Sequence, residues 1–193
     1  MTTSAENWSM EELSSVSIDD EKAGETIVDY LIDHGHTKIA EIGANLELSQ
    51  TAILRHNGYL NSFKKHGITP DERYYEKARF SYDSAYHAMK KLLEKDIEIT
   101  AVYAISDVMA IGAIRAILDK GLRVPEDISI TGFDGSTLAE YYNPKIVSIR
   151  QPHKDMAAHS VELLFSMIDL HKGSCHEIIP FELTEGESVA RIN

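Results

Sequence analysis

Three apolar runs in this chain end in residues that could meet a ligand: Phe80-Ser81, Ser106-Asp107 and Phe133-Asp134. A carboxylate placed like that of Asp134 either caps the turn behind it or accepts hydrogen bonds from two ligand hydroxyls. Arg55 carries a planar fork of donors that suits the paired oxygens of a sugar or an acid; its plainer role is a solvent-exposed helix residue. Ser106 offers one hydroxyl, equally suited to capping the helix behind it. Asp107 suits the start of that helix, where a negative charge meets the helix dipole. This is the chemistry of binding.

The residue types of catalysis do not assemble. Nine histidines are scattered through the 193 residues. Nothing in their spacing with Asp107 or Asp134 forms a nucleophile, a base and a group to orient it. There is no glycine-rich phosphate loop and no G-x-S-x-G elbow. His34-Gly35-His36 lacks a third and fourth ligand at useful spacing and reads as a helix-end turn. Cys175 is the single cysteine, which rules out an internal disulfide framework and a Cys-rich metal site, and no His–Asp arrangement activates it. The expectation is a protein that is not an enzyme and uses no metal or cofactor.

Composition narrows the partners. Nineteen Lys and Arg against 31 Asp and Glu give a net charge of −12, unsuited to holding DNA or an anionic membrane through general charge. Lys64-Lys65 and Lys90-Lys91 are doublets on solvated helix faces, and no stretch offers a basic recognition helix. The first residues have neither the basic nor the apolar region of a signal peptide, and no run of eighteen apolar residues occurs. A reduced, cytoplasmic setting without membrane contact is expected.

The elements that must position these residues alternate. Residues 1–16 read as a disordered or weakly helical lead-in. Asp19-Asp20 can cap a helix with Ala23, Ile27, Val28 and Leu31 on one stripe and Gly35 as its stop. A strand is expected over 38–43. A helix from Ser49 or Thr51 carries Ile53, Leu54, Leu60 and Phe63 and ends at His66-Gly67. A strand over 74–80 leads to a helix capped by Ser81. The apolar run 101–105 reads as a central parallel strand covered on both faces. Ser106-Asp107 then open a helix stopped at Gly121. Strands over 128–133 and 146–151, a long amphipathic helix over 154–171, and strands over 177–183 and 188–192 complete the chain. Strand–helix alternation at this spacing predicts an α/β fold with a doubly wound parallel sheet, whose ligand site lies at the carboxyl ends of its strands.

One block is specific enough to name a family. AISDVMAIGAIRAILDKGLRVPEDISITGFDGS, followed by LAEYYNPKIVSIRQP, resembles the effector-binding core of the lactose/galactose repressor (LacI/GalR) family of bacterial transcription regulators. SIDDEKAGETIVDYLIDHGHTKIAEIG, LRHNGYLNSFKKHGI, FSYDSAYHAMKKLL and the closing ELTEGES agree in order, so the resemblance runs from about Val16 to Val189.

The resemblance implies a periplasmic-binding-protein-like architecture, with one complete subdomain and part of a second. Residues 17–35 and 151–184 would belong to the partial amino-terminal subdomain. Residues 36–150 would form the carboxy-terminal subdomain, closed by a strand in 185–193. It also implies a chain truncated at its amino terminus, with operator DNA bound only through the headpiece of the parent. On that reading the stripes Ile27/Leu31 and Val161/Leu164/Ile168 would lack their partner. A small sugar-like or sugar-phosphate effector would contact Arg55, Phe80, Ser106, Asp134 and Gln151. Phe80 would be an aromatic platform rather than a core residue, and Gln151 a crossover residue rather than a polar hinge. A homodimer would form through segments 109–115 and 138–142, including Met109, Ala113, Leu138 and Tyr142. A solute-binding protein of a sugar transport system is the alternative.

Overall fold

Serine hydroxyls start the helices that matter here. Ser49, Ser81, Ser106 and Ser136 each accept from the main-chain N–H three residues on, satisfying a donor that the first helical turn leaves unpaired. Gly35 and Gly121 close two helices with positive φ, 96° and 82°, a conformation costly for residues with a Cβ. The computed structural model describes residues 14–170 and 174–192. In chain order its elements are β1 (Ser15–Ser17), α1 (Asp20–Asp33), β2 (Ile39–Gly43), α2 (Gln50–Lys65), β3 (Tyr75–Lys77), α3 (Tyr82–Glu94) and β4 (Ala101–Ala104). There follow α4 (Asp107–Asp119), β5 (Ser129–Asp134), α5 (Thr137–Tyr141), β6 (Val147–Arg150), α6 (His153–Leu170), β7 (His176–Ile178) and β8 (Glu182–Thr184). Among the described residues no helix is long and apolar enough to cross a membrane.

The chain divides into two units. The larger, residues 20–150 and 182–193, holds a six-stranded sheet in the order β3-β2-β4-β5-β6-β8. All its pairings are parallel except β6 with β8. This is the expected α/β parallel sheet with one antiparallel edge. β2 and β4 are wholly buried, as strands covered on both faces must be.

Four expectations change. The helix α1, expected with the partial subdomain, packs on α2 in the larger unit. Its stripe Ala23, Ile27, Val28 and Leu31 is fully buried, so Ile27 and Leu31 have their partner. The crossing is close because it runs through two glycines. A Cβ on Gly24 would stand 2.7 Å from the Arg55 carbonyl oxygen, and one on Gly58 would stand 2.3 Å from that of Glu21. Second, residues 188–192 are not a strand. They bind the sheet's flank through isolated bonds, from Ile130 N to the Ser188 carbonyl (2.8 Å) and from Ala190 N to Ser129 Oγ (2.9 Å). Third, the expected strand over 177–183 splits into β7 and β8, with Pro180 between them and no N–H there to extend a ladder. Fourth, residues 15–16 of the supposed lead-in belong to β1, while 1–13 lie outside the described residues.

The smaller unit, residues 1–19 and 151–181, contains β1 paired in parallel with β7, and α6 beside β1. Leu163 of α6 is buried, but Val161, Leu164, Phe165 and Ile168 are more than half exposed. His171, the expected end of this helix, lies outside the described residues.

Candidate functional site

The carboxyl ends of β4 and β5 and the first turn of α1 meet around one guanidinium carried by α2. Ser49 starts α2, which places Arg55 in its second turn, and the side chain is almost wholly buried. Arg55 Nε donates to Asp20 Oδ1 at 2.7 Å and Nη1 donates to the Ile105 carbonyl at 2.6 Å. The guanidinium carbon lies 3.6 Å from the centre of the Phe133 ring, a cation–π contact strengthened by burial. Asp134 Oδ1 stands 3.7 Å from Arg55 Nη1, and its side chain is 31% exposed. Arg55 is thus a fixed cation with Asp134 facing solvent at its edge.

Asp134 is the one residue other than glycine, among those described, with positive φ, at 115°. Such a conformation costs about 1–3 kcal/mol and persists only where the surroundings impose it. Those surroundings include the buried carboxylate of Asp107. It accepts from Ser148 Oγ and from the main-chain N–H of Ser136, both at 2.6 Å, tying β6 and the turn behind Asp134 to the start of α4. Burial pushes the Asp107 carboxyl above its usual range, although both serines pull it down.

The other expected residues fall as follows. Ser106 is buried, and its hydroxyl accepts from Met109 N at 3.3 Å as the cap of α4. Phe80 lies just before α3 and is 48% exposed, which removes the core alternative. Gln151 is half-buried and belongs to the smaller unit. His36, one of the histidine pair, has both ring nitrogens engaged, by Thr100 Oγ1 and the Ala190 carbonyl, and burial lowers its pKa. Among the described residues no three His, Cys, Asp or Glu side chains form a metal-holding group.

Arg55 and Asp134 lie side by side, and two further residues join them. Asp20, read as part of a helix cap, is the Arg55 partner, and Phe133, read with Asp134 as the end of an apolar run that could meet a ligand, is the surface on which the guanidinium lies. The i-to-i+1 step from Phe133 to Asp134 was the available signal: one faces the helices while the next reaches the sheet's carboxyl edge.

The expected interface segments need correction. Met109 and Ala113 are fully buried on the inner side of α4 and present nothing outward. The outward residues of α4 include Ile111 and Arg115, which line a cavity of about 460 Å³ with Tyr82, Tyr86 and Tyr142, and Leu118, which is about half exposed. Leu138 is half exposed.

Residues 28–189 match the model of the periplasmic binding protein-like domain. The chain is 41% identical over 179 residues to the HTH-type transcriptional regulator MalR of Clostridium butyricum, covering 93% of this chain and 53% of that protein. Among solved structures it is similar to the transcriptional regulator CelR–cellobiose complex, with TM-score 0.89 and 32% identity, over 94% of this chain and 56% of that one. It is also similar to a LacI family transcriptional regulator from Enterococcus faecium with bound ribose, with TM-score 0.85 and 25% identity, over 96% and 69%. The chain spans about half the length of the curated relatives it matches.

Proposed function

Because this chain belongs to the periplasmic binding protein-like domain family, with LacI-family transcriptional regulators as its relatives, we propose that it is the effector-binding part of such a regulator. The effector is a sugar. The observation that carries this reading is Asp134, held at a strained φ beside the clamped Arg55 at the carboxyl edge of the sheet. A carboxylate there accepts from paired hydroxyls, and half-exposed Phe80 offers an apolar face of the kind a sugar ring stacks on. That two similar structures are described with cellobiose and ribose supports the ligand class.

Effector binding would shift an equilibrium between two conformations, and DNA affinity, exerted in the cytoplasm by residues outside this stretch, would follow by linkage. The relatives' names as regulators favour this over a transport-type solute-binding protein. Self-association would use the exposed apolar stripe of α6, with the outward face of α4 (Ile111, Tyr82, Tyr86 and Tyr142) and Leu138 as the competing surface.

Thermal-shift titration with cellobiose, ribose and sugar phosphates tests the site. A sugar at a hundred times its dissociation constant stabilises by about 2.7 kcal/mol. The expected result is a shift in the wild type that Asp134→Ala and Arg55→Ala abolish; a shift retained in both variants would move the ligand elsewhere.

A further inference from the structure

Behind Arg55 the sheet departs from the rule for a central parallel strand. The register places Tyr75, Glu41, Tyr103 and Thr131 in one row across β3, β2, β4 and β5. A row covered by helices is ordinarily Val and Ile. Glu41 is wholly buried, and its Oε2 bonds His56 Nδ1 at 2.7 Å. Its Oε1, Tyr103 Oη and Thr131 Oγ1 are the buried side-chain polar atoms without a hydrogen-bond partner among the described residues. An ionised carboxylate with a bare buried oxygen is costly, and so is any loss of its one cationic partner.

That partner sits next to Arg55 in the same turn of α2. The row also passes beneath Arg55: the point where a Cβ on Gly24 would stand is 3.3 Å from both the Arg55 Cα and Tyr103 Oη. His56 has a route for protons, because it lines a cavity of about 540 Å³ with Tyr59, Tyr75 and the carboxylates of Asp71 and Glu72.

We propose that Glu41 and His56 are positioning residues for Arg55, and that effector binding is proton-linked through them. With the imidazolium present, a charge-assisted bond ties the second turn of α2 to β2 and fixes the guanidinium between Asp20, Phe133 and Asp134. When His56 releases its proton to the cavity, the buried Glu41 anion loses its counter-charge and keeps only the dipole of a neutral imidazole, and this turn of α2 loosens. The part concerning effector affinity rests on the reading of Arg55 and Asp134 as the sugar site.

The surrounding charges agree with the direction. The Glu41 carboxylate holds His56 above the ordinary histidine value, and burial pushes Glu41 above the ordinary carboxylate value. The other groups facing Glu41 are Tyr59, Tyr75 and Tyr103, all pushed up by burial and so uncharged. Arg55, Asp20 and Asp134 lie farther along and act on Tyr103. Both members of the pair bind protons more tightly in the folded chain than in the unfolded one. The His56 contribution to stability is complete below the ordinary histidine pKa of about 6.5 and is lost as pH rises through its raised value, whereas that of Glu41 is complete only below the ordinary carboxylate pKa of about 4.3 and is lost as pH rises through its own.

The test follows the Arg55 Nε–H and His56 ring resonances by NMR on the whole chain, from about pH 5 to about pH 9, spanning histidine titration. The Arg55 signal should move with the His56 midpoint, stay flat in His56→Asn, and follow a lowered midpoint in Glu41→Gln. Cellobiose or ribose affinity should fall at least about fivefold across the same transition in the wild type, a coupling at the low end of allosteric effects. An Arg55 signal indifferent to His56, or moving alike in His56→Asn, overturns the proposal. If the signal tracks His56 while neither sugar binds at any pH, the positioning role stands and the sugar-site reading fails.

Discussion

At Asp134 a φ of 115° and a carboxylate beside Arg55 occur in one residue, so stability and binding pull in opposite directions. Glycine adopts this φ without a steric penalty. Asp134→Gly should therefore raise the unfolding free energy by about 1 kcal/mol in denaturant titration, while removing the sugar-induced thermal shift. A loss of stability of similar size would show that the carboxylate's interactions outweigh the strain. Much of the residue scale was legible in advance. Asp134 stood out as the end of an apolar strand, and Arg55 through the resemblance to the LacI/GalR family. Asp20 and Glu41 did not, because a carboxylate's partner 35 or 15 residues away leaves no local pattern.

For single elements, the decisive contact is the crossing of α1 over α2. A Cβ on Gly58 would meet main-chain atoms of Glu21, Gly24 and Glu25 at 2.3 to 2.8 Å, and none of these is the end of a flexible side chain. Gly58→Ala should cost at least about 1–3 kcal/mol, the range for overpacking a well-filled contact, and should displace the turn that carries Arg55. Denaturant unfolding and the Arg55 Nε–H resonance read the two effects; a variant unchanged in both would mean that the crossing does not fix α2. Helix starts and stops were readable from Ser49, Ser81, Ser106, Gly35 and Gly121, since capping involves only neighbouring residues. The unit to which α1 belongs was not, because an apolar stripe says that a face is buried and not against what.

Across the whole molecule, two outward apolar surfaces compete to set association. On α6 the residues Val161, Leu164, Phe165 and Ile168, spaced i, i+3, i+4 and i+7, are exposed, a contiguous stripe of the kind that drives association. Sedimentation should show an average mass that rises with concentration. Leu164→Glu with Phe165→Glu should return the chain to a monomer, whereas Ile111→Glu should leave association intact. Association that survives the first pair and fails with Ile111→Glu would assign it to the α4 face instead.

By itself the sequence determined the α/β alternation, the helix boundaries and the family, because periodicity, capping and a long specific motif are all local. The tertiary structure alone decided that Asp20 and Phe133 clamp Arg55, that α1 docks on α2 through two glycines, and that Glu41 lies in line with Tyr103 and Thr131. These depend on register between strands and on crossings between helices. Both are settled by packing among residues far apart in the chain, which no single stretch of sequence encodes.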